Sequence, residues 1–495
     1  MTRFCSIALL FICPLALAQG HFGDSFGDFR KKSKDSMKEF RKDKNLEFAD
    51  ALAKQWAEFK CFEAKVCPVK PKPHIVPIAP ATEEPADARL PIAQLDKLPE
   101  LKARPLTVTF KSANLVVKAP STMKEDSFDF YGITIKCPPS ALRSRSSLLV
   151  PEGETEVSEK SVSDFWKHLE TDRGADGLTL TEELSVYFNR LDLKEDWSDW
   201  TVVRMIQMLS EHWWQEPSEQ VIVQVFLLNK LGLDARVGRT DKGKLCLIFP
   251  TEQEVFGRQY IVLSGQNYYI LDTVKVNNVH TYNIEQPAGQ PALRTFDMVL
   301  DKPDRTFSKE DATLIEKSLP TLGKTISVPI RNSRKDFYLD YPQVGSACYL
   351  NENLDPELAS AIASQLDTLG RMEKLAAVNL LLSCLQHDFD YATDSEQFGY
   401  EKPFFVAENF IYPKNDCEDR AVLFVYLVQN IIGLDAVLVD YPDHVAAAVR
   451  LPQNITGAYY EHNGARFYVC DPTYIGARAG MIMPRYTEVP AKLLM

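Results

Sequence analysis

Cys417, His444 and Asp471 follow one another in settings that suit a single piece of chemistry. Cys417 stands in "NDCEDRAVLFVYLVQ" (415–429), behind the capping residues Asn415 and Asp416 and ahead of a run from Ala421 to Val428 that is apolar almost all round. The pattern predicts a buried helix with a thiol at its head. There the positive helix end favours thiolate, and the backbone N–H is free to face an oxyanion. Asp416, Glu418 and Asp419 work against this by like-charge repulsion, so a base must come from elsewhere. His444 in "DYPDHVAAAV" starts a strand of small residues, and Asp471 in "FYVCDPTY" ends a later one. An imidazole so placed can take a thiol proton, and a carboxylate behind it can fix the tautomer. Strand alternation turns Cys470 to the face opposite Asp471, which removes it as a partner of the active thiol.

Each residue also has a plainer reading. Cys417 could be half of a disulfide or an inert buried thiol, His444 a strand-end histidine satisfied locally, and Asp471 a turn residue in "DPTY". The matching order of all three favours the nucleophile. None has the close paired spacing of a zinc site. The acids around Cys417 could hold calcium, but stabilisation of the helix end explains them more simply, so no metal or cofactor is expected.

The elements that must carry these residues occur twice. "VIVQVFLLNKLGLDARVGRTDKGKLCLIFP" followed by "RQYIVLSGQNYYILDT" parallels "RAVLFVYLVQNIIGLDAVLVDYPDHVAAAVRL" followed by "GAYYEHNGARFYVCDPTY". Each reads as an apolar helix closed by a Gly-Leu-Asp-Ala turn, then strands ending in Asp. A separation of about 200 residues points to a duplicated domain and not to a solenoid of short repeats. The fold class is therefore α+β. Matching the turns sets Glu216 or a neighbour where Cys417 stands, leaves "DKGKLC" without a histidine, and retains only Asp272. The first copy should be silent, with Cys246 a core thiol.

The order of these residues resembles the transglutaminase-like superfamily, a papain-like Cys-His-Asp fold, over residues 375–474. The longer string "FGYEKPFFVAENFIYPKNDCEDRAVLF" resembles exported Bacteroidetes proteins with transglutaminase-like domains. The resemblance implies a thioester mechanism in which Cys417 attacks an acyl carbon, His444 shuttles the proton and Asp471 orients it. It also implies a second oxyanion donor upstream, for which Gln397 and Tyr391 are the choices. Superfamily members include peptidases, amidases and cross-linkers, so the substrate stays open.

The remaining chain sorts by composition. Arg3, the apolar run Ile7–Leu17 and Ala16-Leu17-Ala18 predict a signal peptide over 1–18. Over 19–66, Phe26, Met37, Phe48 and Phe59, with Phe29, Phe40, Ala51 and Phe62, recur every eleven residues, which predicts a long amphipathic helix. Such a stripe needs a cover, either the chain's own domains or another copy in preference to a foreign partner, so a homo-oligomer is one expectation. Eight prolines between Pro68 and Pro99 predict a semi-rigid linker over 67–104. A small β segment is expected over 105–150, the degenerate domain over 155–310, a further β segment ("TISVPIR", "DFYLDYPQV") over 322–350, and the catalytic domain over 351–495.

A net charge of −12 without a basic patch argues against nucleic acid, and no later run is long enough to span a bilayer. Of ten cysteines two fall in the signal, too few remaining for a disulfide scaffold, though Cys61 with Cys67 and Cys348 with Cys384 are conceivable pairs. The leading expectation is an exported, periplasmic or secreted, cysteine-dependent acyl hydrolase or transferase acting on a protein or peptide. The rival is a non-catalytic assembly protein that uses papain-like domains as peptide-binding modules.

Overall fold

The computed structural model describes residues 56–66, 75–81, 85–96, 126–137, 157–173, 178–190, 197–272, 275–282, 292–302 and 311–494, with Lys72 and residues 31, 32, 35, 36, 43 and 47. The expected signal peptide lies outside them. The chain mixes helices and strands, as the α+β expectation required.

The two sequence repeats fold alike. Helix Pro217–Lys230 leads into strands Arg236–Thr240, Leu245–Pro250, Tyr260–Leu263 and Gln266–Ile270. Helix Cys417–Leu427 leads into Ala436–Tyr441, His444–Arg450, Ala458–His462 and Ala465–Cys470. In both sheets the four strands lie antiparallel in the spatial order first, second, fourth, third. The helix ends need a left-handed residue to turn the chain back, and Gly232 (φ 87°) and Gly433 (φ 75°) supply it.

Alternation divides the second sheet between two cores. Leu438, Val445, Ala447 and Val449 face the Cys417–Leu427 helix, whose residues from Ala421 to Val428 join the same core. Val437, Val439, Tyr441, Ala446 and Ala448 face a second core with Tyr460, Phe467 and Tyr486. That helix is buried on every side, which explains its lack of a polar face.

The stretch 67–104, expected as a linker, is instead structural where it is described. Ala88–Arg89 pairs in parallel with Ala458–His462 at one edge of the second sheet, and Ile92–Asp96 pairs with Ala491–Leu494 at the other. Three residues reach only about 10 Å. The two edges must therefore lie close, and this strap closes a curled sheet towards a barrel. Its prolines fit because the strap sits at sheet edges.

Three further expectations are corrected. The helix over 19–66 does not run its full length: residues 31, 32, 35, 36, 43 and 47 are helical, but Trp56–Lys60 is a strand on Asn278–Tyr282. Phe62 continues as a bridge to Tyr260, stacked on its ring at 5.2 Å. Edge pairing there outweighs the helical period. In the 322–350 segment, Lys324–Arg331 is a strand but pairs with Ala312–Leu319, and "DFYLDYPQV" falls largely in helix Asn332–Asp340. Ser333, Arg334, Phe337 and Tyr338 bury one helical face, and Arg334 pairs with buried Glu352 at 2.9 Å. Cys348 and Cys384 are both free and buried, so they form no disulfide. Of the β segment expected over 105–150, Asp126–Phe130 and Ile133–Cys137 form an antiparallel hairpin; "LTVTFKSANLVVKA" lies outside the described residues.

Candidate functional site

Cys417 is the first residue of its helix, with Asp416 as N-cap. Asp419 ties this head down: its carboxylate accepts from Asp416 N at 3.1 Å and from Phe404 N at 2.9 Å. Orphan helix donors and the loop before the helix are thereby satisfied by one side chain. A parallel bridge sets Tyr391 beside Asn415, and Asn415 in turn accepts from Arg420 Nε at 2.9 Å. The Arg420 guanidinium lies 5.3 Å from the centre of the Tyr391 ring.

His444 and Asp471 are brought together as expected. His444 Nε2 donates to Asp471 Oδ2 at 2.8 Å, with both side chains buried. Asp471 Oδ1 accepts from Thr473 N at 2.9 Å and Tyr474 N at 3.2 Å. Three donors on one carboxylate make it an acceptor throughout, so the histidine proton belongs on Nε2. Nδ1 is then a bare, buried base, with no hydrogen-bond partner among the described residues. Antiparallel pairing with Tyr441 turns the ring towards Tyr486, nearly parallel at 10° and 5.6 Å.

The thiol is engaged elsewhere. Cys417 Sγ donates to Glu418 Oε2 at 3.1 Å, and no hydrogen bond joins it to His444 among the described residues. His444 shares its strand face with Ala446 and Ala448 of the tyrosine-lined core, whereas Val445, Ala447 and Val449 face the Cys417 helix. The structure thus brings His444 and Asp471 together and keeps the thiol in a separate, acidic setting.

That setting contains a residue the sequence reading missed. Lys72, with a side chain only 2 % exposed, pairs with Asp416 at 2.5 Å, Glu401 at 2.8 Å, Asp394 at 3.4 Å and, closest of all, Glu418. Burial pushes Glu418 up, but the Lys72 charge and nearby hydrogen bonds prevail and hold it at about 2. Burial and the Glu418 and Asp419 charges push Asp416 well above the usual carboxylate range. Burial, then Glu418 and Asp416, raise the Cys417 thiol well above its ordinary value, so the helix end does not yield a thiolate here. A buried helix head carrying three acids needs a counter-charge, and that need was the available signal for Lys72.

Of the two oxyanion candidates, Gln397 spends its amide on Lys414 O at 3.0 Å. The Tyr391 hydroxyl is buried without a hydrogen-bond partner among the described residues, and burial, then the Cys417, Asp416 and Glu418 charges, raise its pKa. Among the described residues the first copy has no counterpart to Cys417 and His444. Glu216 is the exposed N-cap of its helix and Pro217 the first residue, one position off the turn-based match, while Cys246 is core. No family model, curated protein or solved structure matches the chain.

Proposed function

We propose that this chain is an exported cysteine-dependent acyl hydrolase or transferase of the papain-like, transglutaminase-like type, seen here with its thiol covered. The observation that carries the reading is the Asp471–His444 pair, which leaves a buried Nδ1 bare on a strand packed against the helix headed by Cys417. In the reaction, Cys417 sulfur would add to an acyl carbon while its proton passes to His444 Nδ1. Asp471 would stabilise the imidazolium, and Cys417 N–H with the Tyr391 hydroxyl would face the oxyanion. Collapse would return that proton to the leaving group, and water or an amine would then release the acyl group from sulfur. The substrate would be a protein or peptide.

A second reading, a non-catalytic binding or assembly protein, draws support from the thiol itself. Its hydrogen bond runs to Glu418, and burial with the Glu418 and Asp416 charges outweighs the pull of Lys72, so the thiol is held well above its ordinary pKa. Mass spectrometry of native chain exposed to peptide thioesters separates the two. An acyl adduct on Cys417 that disappears in His444→Ala supports the enzyme. Absence of any adduct on Cys417, or one formed equally fast without His444, leaves the binding reading.

A further inference from the structure

Four carboxylates from three stretches of chain converge on one ammonium. Asp394 heads a short helix, Glu401 lies in the loop behind it, and Asp416 and Glu418 flank Cys417; Lys72 pairs with all four. Among the described residues no other cation pairs with any of them. An ammonium has three N–H donors. The acids offer more oxygens than that, and among the described residues Asp416 Oδ1, on a fully buried side chain, has no hydrogen-bond partner.

The lysine is held by its head group. Further along, the strap is gripped by backbone: Ala79 N and Pro77 O bond to Ile475, and the two short strands follow. Between that grip and Lys72, Ile75 is 85 % exposed and its side chain packs little. Among the described residues, it is the Lys72 ammonium that meets the head of the Cys417 helix.

We propose that these four carboxylates form a binding site for a primary ammonium on an unbranched alkyl stem, that Lys72 is its built-in occupant, and that a soluble alkylammonium can take the place of the lysine. Convergence of acceptors from several directions suits three N–H groups on one nitrogen, in contrast to the planar fork of a guanidinium. A quaternary ammonium has no N–H to give. As a means of uncovering Cys417 the site rests on the nucleophile reading; as a binding site it does not.

The test is thermal unfolding of the full-length Lys72→Ala chain. The additive is n-propylammonium, which restores the Cγ-to-Nζ part that alanine lacks; tetramethylammonium and calcium at equal ionic strength are the comparisons. The expected result is a lower Tm for Lys72→Ala that n-propylammonium raises saturably, with little change in the wild type and little from tetramethylammonium. Equal effects of the two ammonium ions, or none, overturn the proposal. Rescue by calcium alone overturns it in favour of a divalent-cation site. If Lys72→Ala does not fold in plain buffer, refolding yield is read with the same additives, and yield that does not depend on n-propylammonium is the refuting result. Repeating the rescue in Lys72→Ala/His444→Ala keeps the two questions apart. Rescue there stands even if Cys417 proves inert, and an acyl adduct without rescue leaves the catalytic reading intact.

Discussion

Replacing Asp471 by Asn tests the acid–base geometry with almost no change of shape. In the wild type, moving the histidine proton from Nε2 to Nδ1 would set an imidazole lone pair against Asp471 Oδ2 at 2.8 Å. It would also forfeit a charge-assisted hydrogen bond, worth about 2–3 kcal/mol when both groups are buried. At about 1.4 kcal/mol per factor of ten, the Nε2–H tautomer is favoured roughly 30- to 140-fold. In Asp471→Asn the amide oxygen keeps the Thr473 and Tyr474 N–H groups, so the amide NH2 must face Nε2. Nε2 then has to accept, the proton moves to Nδ1, and the bare base is lost. Long-range ¹H–¹⁵N correlation spectra of His444 should show Nε2–H in the wild type and Nδ1–H in the variant. Acyl-adduct formation on Cys417 should fall by about 10²-fold or more, while stability changes by no more than about 1–2 kcal/mol. A variant that retains Nε2–H, or one that swaps tautomers yet acylates at the wild-type rate, would falsify the assignment of His444 as the base.

Other outcomes follow from the same geometry. Burial, against the pull of Lys72, pushes Asp394 up to about 6 and Glu401 up to about 7. Unfolded carboxyls titrate near ~4, so the fold binds more protons between these values and stability falls as pH rises from about 4 to about 7. Asp394→Asn/Glu401→Gln should flatten that decline in Tm, and a wild-type slope no steeper than the double variant's would refute the shifts. Glu418, held at about 2, acts in the opposite sense: its contribution is present above about 4.5 and is lost as pH falls towards 2. Tyr391→Phe removes a buried hydroxyl that has no hydrogen-bond partner, so denaturant midpoints should barely move while acylation slows by about 10- to 1000-fold; unchanged acylation would end the oxyanion role. A Cβ on Gly370 would lie 2.6 Å from Ile431 O, where the Pro356–Arg371 helix crosses the turn that follows the Cys417 helix. Gly370→Ala should therefore destabilise by about 1–3 kcal/mol despite alanine's helix-propensity advantage of about 1 kcal/mol. Stabilisation in urea would show that the helices part freely.

The sequence alone determined whatever is written locally. The capped head of the Cys417 helix, the apolar helix behind it, the Gly-Leu-Asp-Ala turns and the repeated strand pattern are short-range signals, and the structure has all of them. The His444–Asp471 pairing was legible too, because both residues end antiparallel strands of one sheet and alternation sets their faces. Only tertiary structure decided the rest. Trp56–Lys60 keeps a helical period yet lies along a sheet edge, because a strand already in place offers backbone partners whatever side chains arrive. Ala88–Arg89 and Ile92–Asp96 join two further edges in the same way, through N–H and C=O groups that composition does not reveal. Lys72 meets Asp416 across 344 residues of sequence. Electrostatic pairing in a buried site depends on distance in space, and no local pattern records which distant charge will be carried there.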